Sequence, residues 1–172
     1  MIVWGSRVTP QFRLKVREIA VALEMPSSGP DWLMACMAFE TGRTFSPSVR
    51  NAAGSGAVGL IQFMPAVAPS LGVTVEQLAA MTAEEQLKCV HDYFRPYKGK
   101  LQSLEDVYMA ILWPRALGKP LDYVLWDRAT RPTTYRQNTG LDLDKDGTVT
   151  KQEAAAGVRR MYILGLEPRH LA

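Results

Sequence analysis

The chain has 172 residues, 47% of them hydrophobic, and its 20 basic and 17 acidic side chains give a net charge of +3. This length suits one domain, and the hydrophobic fraction is enough for a buried core. The charge is too weakly positive for a dedicated nucleic-acid binder, so we expect no nucleic-acid partner. The longest apolar run, VYMAILW, is far too short to cross a bilayer, so we expect no stable membrane insertion.

Two helices are predicted in the first quarter of the chain. The first begins at Thr9, with Pro10 at its first helical position, and its apolar periodicity ends before Pro26. The second begins at Asp31, which we expect to cap it, and Gly42 ends it.

A loop and a short helix are predicted next. Residues 43–56 are small, polar and rich in glycine and serine, which is typical of an ordered loop, with a small hairpin as the alternative. Residues 57–72 are apolar and predict a short helix that is interrupted near Pro65 and Pro69.

Capping boxes mark helix starts in the rest of the chain. In this motif a Thr or Ser and a Glu or Gln three residues later each satisfy a free backbone N–H group. Three such pairs occur: Thr74 with Gln77, Thr82 with Glu85, and Thr150 with Glu153. Ser103 caps a further helix that Pro114 ends, and a short helix is expected between residues 115 and 140. No stretch shows convincing period-two strand patterning, so the predicted fold class is mainly α.

The only two cysteines, Cys36 and Cys89, both lie in helical stretches. Such residues usually behave as small buried hydrophobic groups, so we predict two free thiols. A disulfide is the alternative, because spacing alone does not decide pairing.

The segment DLDKDGTVTKQE has the pattern of a calcium loop. Calcium takes about six to eight oxygen ligands, and this segment offers carboxylates at alternating positions, one backbone carbonyl and a final carboxylate. These ligands are Asp142, Asp144, Asp146, the carbonyl of Thr148, and Glu153. Every position of the EF-hand loop consensus is filled, including the turn glycine. We find no second loop, and sensors usually pair two, so we predict a structural Ca²⁺.

Glu40 is the strongest candidate for a catalytic residue. It ends an apolar helix, where burial and the negative end of the helix dipole both raise the pKa of a carboxyl group. A general acid that works near neutral pH needs such a shift. No acidic residue follows until Glu76, whereas the intervening chain offers small residues and the amide of Gln62. This composition suits glycan binding better than metal or phosphate chemistry.

The sequence FETGRTFSPSVRN, followed by GSGAVGLIQFMP, resembles the lysozyme-like lytic transglycosylase family over residues 39–65. The family signature is Glu-Ser-Gly, then Gly-x-x-Gly-Leu-x-Gln and a proline. It corresponds here to Glu40, Thr41, Gly42, Gly56, Gly59, Leu60, Gln62 and Pro65. The second half is similar to small phage-encoded peptidoglycan-degrading enzymes. The resemblance implies one lysozyme-like catalytic domain over residues 1–172, with an EF-hand-like calcium-binding segment over residues 135–165.

The resemblance also implies a reaction. Glu40 would protonate the glycosidic oxygen between N-acetylmuramic acid and N-acetylglucosamine, and would then act as a base on the muramyl C6 hydroxyl or on water. The absence of nearby acids fits a mechanism with one carboxylate, but Glu76, Asp106 and Asp122 remain candidates for a second. The substrate-binding residues would be Ser55, Gln62, Phe63 and Tyr135.

The chain departs from the family pattern in two places. The family usually has Ala-Tyr-Asn-x-Gly-Pro, whose Tyr helps to hold the catalytic Glu, whereas this chain has AILWP. Tyr135 is the proposed substitute, with Tyr108 as the alternative. The loop after Phe45 is longer than usual, so the Ser that supports the Glu is assigned to Ser55, with Asn51 as the alternative.

The resulting expectation is a monomeric peptidoglycan lytic transglycosylase or muramidase whose partner is the glycan strand. The N-terminal residues lack the basic start and apolar run of a signal peptide, so we expect synthesis in the host cytoplasm and action in the periplasm or cell wall. A phage endolysin and a virion-associated lysin both fit. The alternative is a non-catalytic, calcium-dependent peptidoglycan-binding module.

Overall fold

The structure, a computed structural model, describes residues 1–52 and 54–172. Its helices are α1 Pro10–Ala22, α2 Gly29–Glu40, α3 Val75–Ala80, α4 Ala83–Phe94, α5 Leu104–Leu112, α6 Pro132–Gln137, α7 Lys151–Ala154 and α8 Ala156–Gly165. Its strands are β1 Val124–Asp127 and β2 Thr148–Thr150. The predicted mainly α class is confirmed. None of the helices in the described residues is both long and apolar enough to cross a membrane.

The predicted helix starts are largely confirmed. The Thr9 side chain accepts a hydrogen bond from the backbone N of Phe12, and all three capping boxes are formed. The prediction for Asp31 was wrong, because α2 begins two residues earlier, at Gly29. The Asp31 carboxylate instead accepts a hydrogen bond of 3.0 Å from the backbone N of Val3, and so connects the N-terminal segment to α2.

Helix α2 runs through the centre of the protein. All residues from Leu33 to Ala38 are buried, and the helix packs against α1, α5 and α8. Burial of a Leu- or Met-sized side chain stabilises a fold by about 1.5–3 kcal/mol, so this segment is a major part of the core. Cys36 and Cys89 are free and buried, as predicted.

The helix predicted for residues 57–72 is absent, apart from a short 3₁₀ turn at Ala68–Leu71. Val58 instead pairs with both Arg50 and Phe63 through isolated antiparallel bridges. The chain reverses between Val58 and Phe63 at Gly59 and Gln62, whose φ angles are +83° and +52°. An α-helix requires negative φ, so these two residues exclude a helix there.

The small sheet was not predicted from the sequence. Strand β1 pairs antiparallel with β2, and Asp127 lies opposite Thr148. Leu125 and Trp126 of β1 are buried, so the sheet covers one side of the core. Because β2 belongs to the acidic loop at residues 142–153, this pairing attaches that loop to the body of the protein.

Candidate functional site

Glu40 is the last residue of α2, and backbone hydrogen bonds fix the turn after it. The N of Arg43 donates to the carbonyl of Ala38 at 2.7 Å, and the N of Gly42 donates to that of Phe39 at 3.3 Å. Gly42 has a φ of +57°. This is the Schellman arrangement, in which a left-handed residue after the helix lets the last carbonyls find partners. The chain therefore leaves α2 abruptly, directly beside Glu40.

Thr41 makes this turn more rigid. It is buried, and its hydroxyl donates to the carbonyl of Met37 at 2.7 Å while accepting from the N of Phe45 at 3.0 Å. A hydroxyl that is satisfied on both sides fixes its own rotamer and the two backbone segments that it joins. The position of Glu40 is thus set by the backbone on both sides of it.

The carboxyl group of Glu40 is partly buried, and burial raises its pKa to about 7. Desolvation disfavours the charged form of a carboxyl group, which is the direction that the sequence predicted. Near neutral pH the group therefore exists in both its protonated and its ionised form. A group of this kind can give up a proton and take one back within one reaction cycle.

Two tyrosines lie within the electrostatic reach of Glu40. Burial, and then the charge of Glu40, raise the pKa of Tyr108 on α5. Burial, followed by Tyr97 and Glu40, raises the pKa of Tyr93 on α4 to about 12. Both phenols therefore stay protonated at neutral pH.

Aromatic contacts fix these tyrosines. Tyr108 packs edge-to-face on Phe39 with ring centroids 5.5 Å apart, and the Tyr93 hydroxyl donates to the carbonyl of Ala110 at 2.9 Å. The ring of Phe63 packs edge-to-face on Tyr93 at 6.1 Å. The chain at Phe63 is thereby joined to α4 through Tyr93, one of the two tyrosines whose pKa burial and Glu40 both raise.

The predicted substrate-binding residues fall in different places. Ser55 is exposed and accepts a hydrogen bond from the N of Ala57, and Gln62 is half-buried. Phe63 is only 1% exposed, so its ring belongs to the core, and direct contact with a ligand is not open to it in this structure. Asn51, the alternative to Ser55, is also exposed.

Tyr135 lies at the acidic loop. Its hydroxyl donates to Asp142 Oδ2 at 2.5 Å, and the Arg128 guanidinium stacks over its ring. Of the two tyrosines considered for the family's missing Tyr, Tyr108 is therefore the one whose pKa responds to Glu40. The contact with Asp142 places Tyr135 at the acidic loop and gives no support to a role in substrate binding.

The candidates for a second carboxylate are paired or exposed. Asp106 on α5 forms a buried ion pair with Lys151 of α7 at 2.6 Å and also accepts from the N of Gly118. Glu76 and Asp122 are both exposed. Asp106 is thus engaged in joining α5 to α7, at the C-terminal end of the acidic loop.

Three aspartates in the acidic loop could hold a metal ion. Oxygen atoms of Asp142, Asp144 and Asp146 lie within 4.8 Å of one another. Asp142 is 6% exposed, and its Oδ1 is buried without a hydrogen-bond partner among the described residues. A buried carboxylate oxygen without a partner is costly, and a cation would satisfy it. Carboxylates are the ligands that hard cations prefer.

The remaining predicted ligands lie in the same loop. Glu153 Oε1 accepts from the N of Leu143, and its Oε2 accepts from the N and hydroxyl of Thr150. Thr148 begins β2, and its N and hydroxyl both donate to Asp146 Oδ1. These bonds close the loop from its first residues to its last.

The sequence did not point to one buried polar residue beside the glycine-rich part of the chain. Gln86 on α4 is 0% exposed and hydrogen-bonds to the backbone at Pro47, Leu60 and Leu78. Its only signal in the sequence is an amide on the apolar side of α4, next to Leu87 and near Val90.

Comparison with protein-family models found no match, and comparison with curated proteins found none either. A functional assignment therefore depends on the geometry around Glu40, on the acidic loop and on the sequence motif at residues 39–65.

Proposed function

We propose that this protein cleaves the β-1,4 bond between N-acetylmuramic acid and N-acetylglucosamine in peptidoglycan, with Glu40 as general acid and base. The observation that carries the proposal is a partly buried carboxyl group with a pKa of about 7 at the rigid end of α2. The sequence motif that resembles lytic transglycosylases supplies the substrate class.

The proposed reaction needs one proton carrier. Protonated Glu40 gives its proton to the glycosidic oxygen, the bond from muramyl C1 to that oxygen breaks, and positive charge develops at C1. The ionised Glu40 then takes a proton from the muramyl C6 hydroxyl, whose oxygen attacks C1 and closes a 1,6-anhydro ring. If water loses the proton instead, the product is the hydrolysed sugar. At the end of either route Glu40 is protonated again.

The surroundings of Glu40 support a mechanism with a single carboxylate. On the neighbouring helix α5, Glu105 pairs with Arg159 and Asp106 pairs with Lys151. Most glycosidases use a second carboxylate as nucleophile or base. Here the nearby groups are the phenols of Tyr93 and Tyr108, which stay protonated at neutral pH, and the hydroxyl of Tyr93 donates to the carbonyl of Ala110.

We further propose that the acidic loop binds Ca²⁺ in a structural role. The ion would be held by carboxylate oxygens of Asp142, Asp144, Asp146 and Glu153 and by the carbonyl of Thr148. Its positive charge would offset the electrostatic repulsion among the three aspartate carboxylates and would satisfy Asp142 Oδ1. The loop leads into α7 and then α8, so binding there would stabilise α8, which packs against α2.

The proposed partner is the peptidoglycan glycan strand, and the proposed biological class is a phage endolysin or a virion-associated lysin, acting as a monomer. A calcium-dependent peptidoglycan binder without catalysis is the second candidate, because AILWP replaces the family's Tyr-Asn motif. A binder would sediment with peptidoglycan and release no soluble fragment.

The test of the proposed function is the variant Glu40→Gln, which keeps the shape of the side chain and removes its proton chemistry. We expect loss of wall lysis with unchanged circular dichroism and cooperative melting. Glu18→Gln, at an exposed position on α1, is the matched control and should lyse walls like the wild type. Full activity of Glu40→Gln would overturn the assignment.

A further inference from the structure

We infer that Gln86 is a positioning residue for catalysis: its buried amide fixes the glycine loop, defined here as residues 47–52 and 54–63, in the shape that receives the glycan. This inference depends on the proposed function. Gln86 does not touch the reacting atoms; it would act through the backbone of the loop.

The hydrogen bonds of Gln86 join the two ends of the glycine loop to one side chain. Its Oε1 accepts from the N of Leu60 at 2.7 Å, and its Nε2 donates to the carbonyl of Pro47 at 2.9 Å. The second N–H of the same amide donates to the carbonyl of Leu78 at 2.8 Å. Both donors and the acceptor are therefore used, which leaves the amide one orientation.

The close approach of Gly59 shows how tightly the loop fits around this amide. A Cβ at position 59 would lie 2.3 Å from Gln86 Oε1 and 2.6 Å from its Nε2. Gly59 also has a φ of +83°, a conformation that glycine adopts without steric cost. The glycine of the Gly-Leu-x-Gln motif is thus required by the Gln86 amide as well as by the turn.

The glycine loop transmits this restraint to Gln62. The Nε2 of Gln62 donates to the carbonyls of Val49 at 3.2 Å and Gly59 at 3.1 Å, which lie next to the segments that Gln86 holds. Loss of the Gln86 amide leaves the N of Leu60 and the carbonyl of Pro47 without this partner, so the glycine loop loses its hydrogen bonds to α4. Displacement of binding groups by about 1 Å can cost about a hundredfold in rate.

The experiment compares Gln86→Met, which keeps the length of the side chain but has no amide, with Val90→Ala, a core truncation on the same helix. Release of muropeptides is measured against peptidoglycan concentration and against pH, and hydrogen exchange is followed at the Leu60 amide. Both variants are assayed well below their melting temperatures.

We expect Gln86→Met to lose about tenfold to a hundredfold in kcat/KM while the pH of half-maximal rate, set by Glu40, stays unchanged. The Leu60 amide should exchange at least about tenfold faster than in the wild type, because its hydrogen-bond acceptor is gone. Val90→Ala should show neither effect. Wild-type kcat/KM in Gln86→Met, or an equal loss in Val90→Ala, would overturn the positioning role.

Two further outcomes, a Gln86→Met variant that does not fold and a wild type without activity, can be told apart from failure of the positioning role. If Gln86→Met does not fold, Gln86→Glu takes its place, since it keeps the acceptor for Leu60 and loses donors to Pro47 and Leu78; full kcat/KM in that variant also overturns the inference. If the wild type releases no muropeptide, the proposed function fails and the catalytic role of Gln86 fails with it. The exchange rate of Leu60 then still reports whether Gln86 holds the loop.

Discussion

The backbone of Gly157 on α8 lies directly against the ring of Phe39, the residue that precedes Glu40. A Cβ at position 157 would lie 2.7 Å from Cε2 of that ring and 2.9 Å from its Cζ. Phe39 in turn packs on Tyr108. Helix α8 follows the acidic loop in the chain, so the segment that the proposed calcium ion would stabilise supports the end of α2 that carries Glu40.

Gly157→Ala should therefore lower both stability and activity. In a helix, Ala is favoured over Gly by about 1 kcal/mol, but overpacking costs about 1–3 kcal/mol, and the Phe39 ring has to move. We expect a net loss of about 1 kcal/mol in the free energy of unfolding, measured by urea denaturation, together with slower wall lysis.

Gly140→Ala is the matched control for this prediction. A Cβ at position 140 meets no atom within 4 Å, and the φ of Gly140 is not positive. This variant should have the same free energy of unfolding as the wild type or a slightly higher one, because Ala restricts the unfolded chain. If Gly157→Ala were equally harmless, α8 would not be supporting Phe39.

The rate of wall lysis should fall above pH 7. The proposed step needs Glu40 protonated, and its pKa is about 7, so kcat/KM should drop about tenfold per pH unit at higher pH. The measurement is muropeptide release in buffers of constant ionic strength from pH 5 to 9. A rate that rises steadily through pH 8 would contradict Glu40 as the acid.

Glu40→Gln should also change how stability depends on pH. Burial raises the pKa of Glu40 from an ordinary value of 4.5 to about 7, so the folded protein binds more protons between these values. Its contribution to stability is complete below pH 4.5 and is lost as the pH rises through 7, by on the order of 2–3 kcal/mol for a partly buried group. Relative to the wild type, the variant should gain that amount between pH 4 and pH 8 in chemical denaturation. Parallel pH profiles of the two proteins would show that Glu40 is not desolvated.

Calcium should raise the melting temperature through Asp142. An ion that binds only the folded state adds about 2.7 kcal/mol at a hundredfold excess over Kd, which for a chain of this size is about 5–10 °C. Asp142→Ala should lose this increase, whereas Asp122→Ala, at an exposed position outside the loop, should keep it. Equal melting of the wild type in calcium and in chelator would contradict the structural ion.

Tyr135→Phe separates a metal-loop role from a substrate role. The Tyr135 hydroxyl donates to Asp142 Oδ2, and such partners of metal ligands typically contribute tenfold or more to affinity. We expect calcium affinity, measured by calorimetry, to fall about tenfold. The rate of wall lysis at saturating calcium should be unchanged. A large loss of that rate in Tyr135→Phe would indicate that Tyr135 contacts the substrate.

The helix starts were predictable because capping is local. A box such as Thr82 with Glu85 is satisfied within four residues, so the sequence carries the whole interaction. The rise in the pKa of Glu40 was predictable for a similar reason, since burial follows from the apolar run that precedes it.

The helix wrongly predicted for residues 57–72 and the missed sheet both depend on contacts between distant residues. Residues 57–63 have the composition of a helix, yet Gly59 and Gln62 turn the chain so that it fits the amide of Gln86, more than 20 residues away. Strand β1 has four residues and takes its register from β2, which lies further along the chain. No local pattern encodes such pairings.

Cleavage of peptidoglycan by Glu40 is tested most directly by mass analysis of the soluble products after the purified protein is incubated with bare peptidoglycan. We predict muropeptides from the wild type and none from Glu40→Gln. A muramyl end one water lighter than the hydrolysed sugar would identify the anhydro product, and full mass would identify hydrolysis. A wild-type protein that binds peptidoglycan but releases no muropeptide, or equal release by Glu40→Gln, would contradict the central claim.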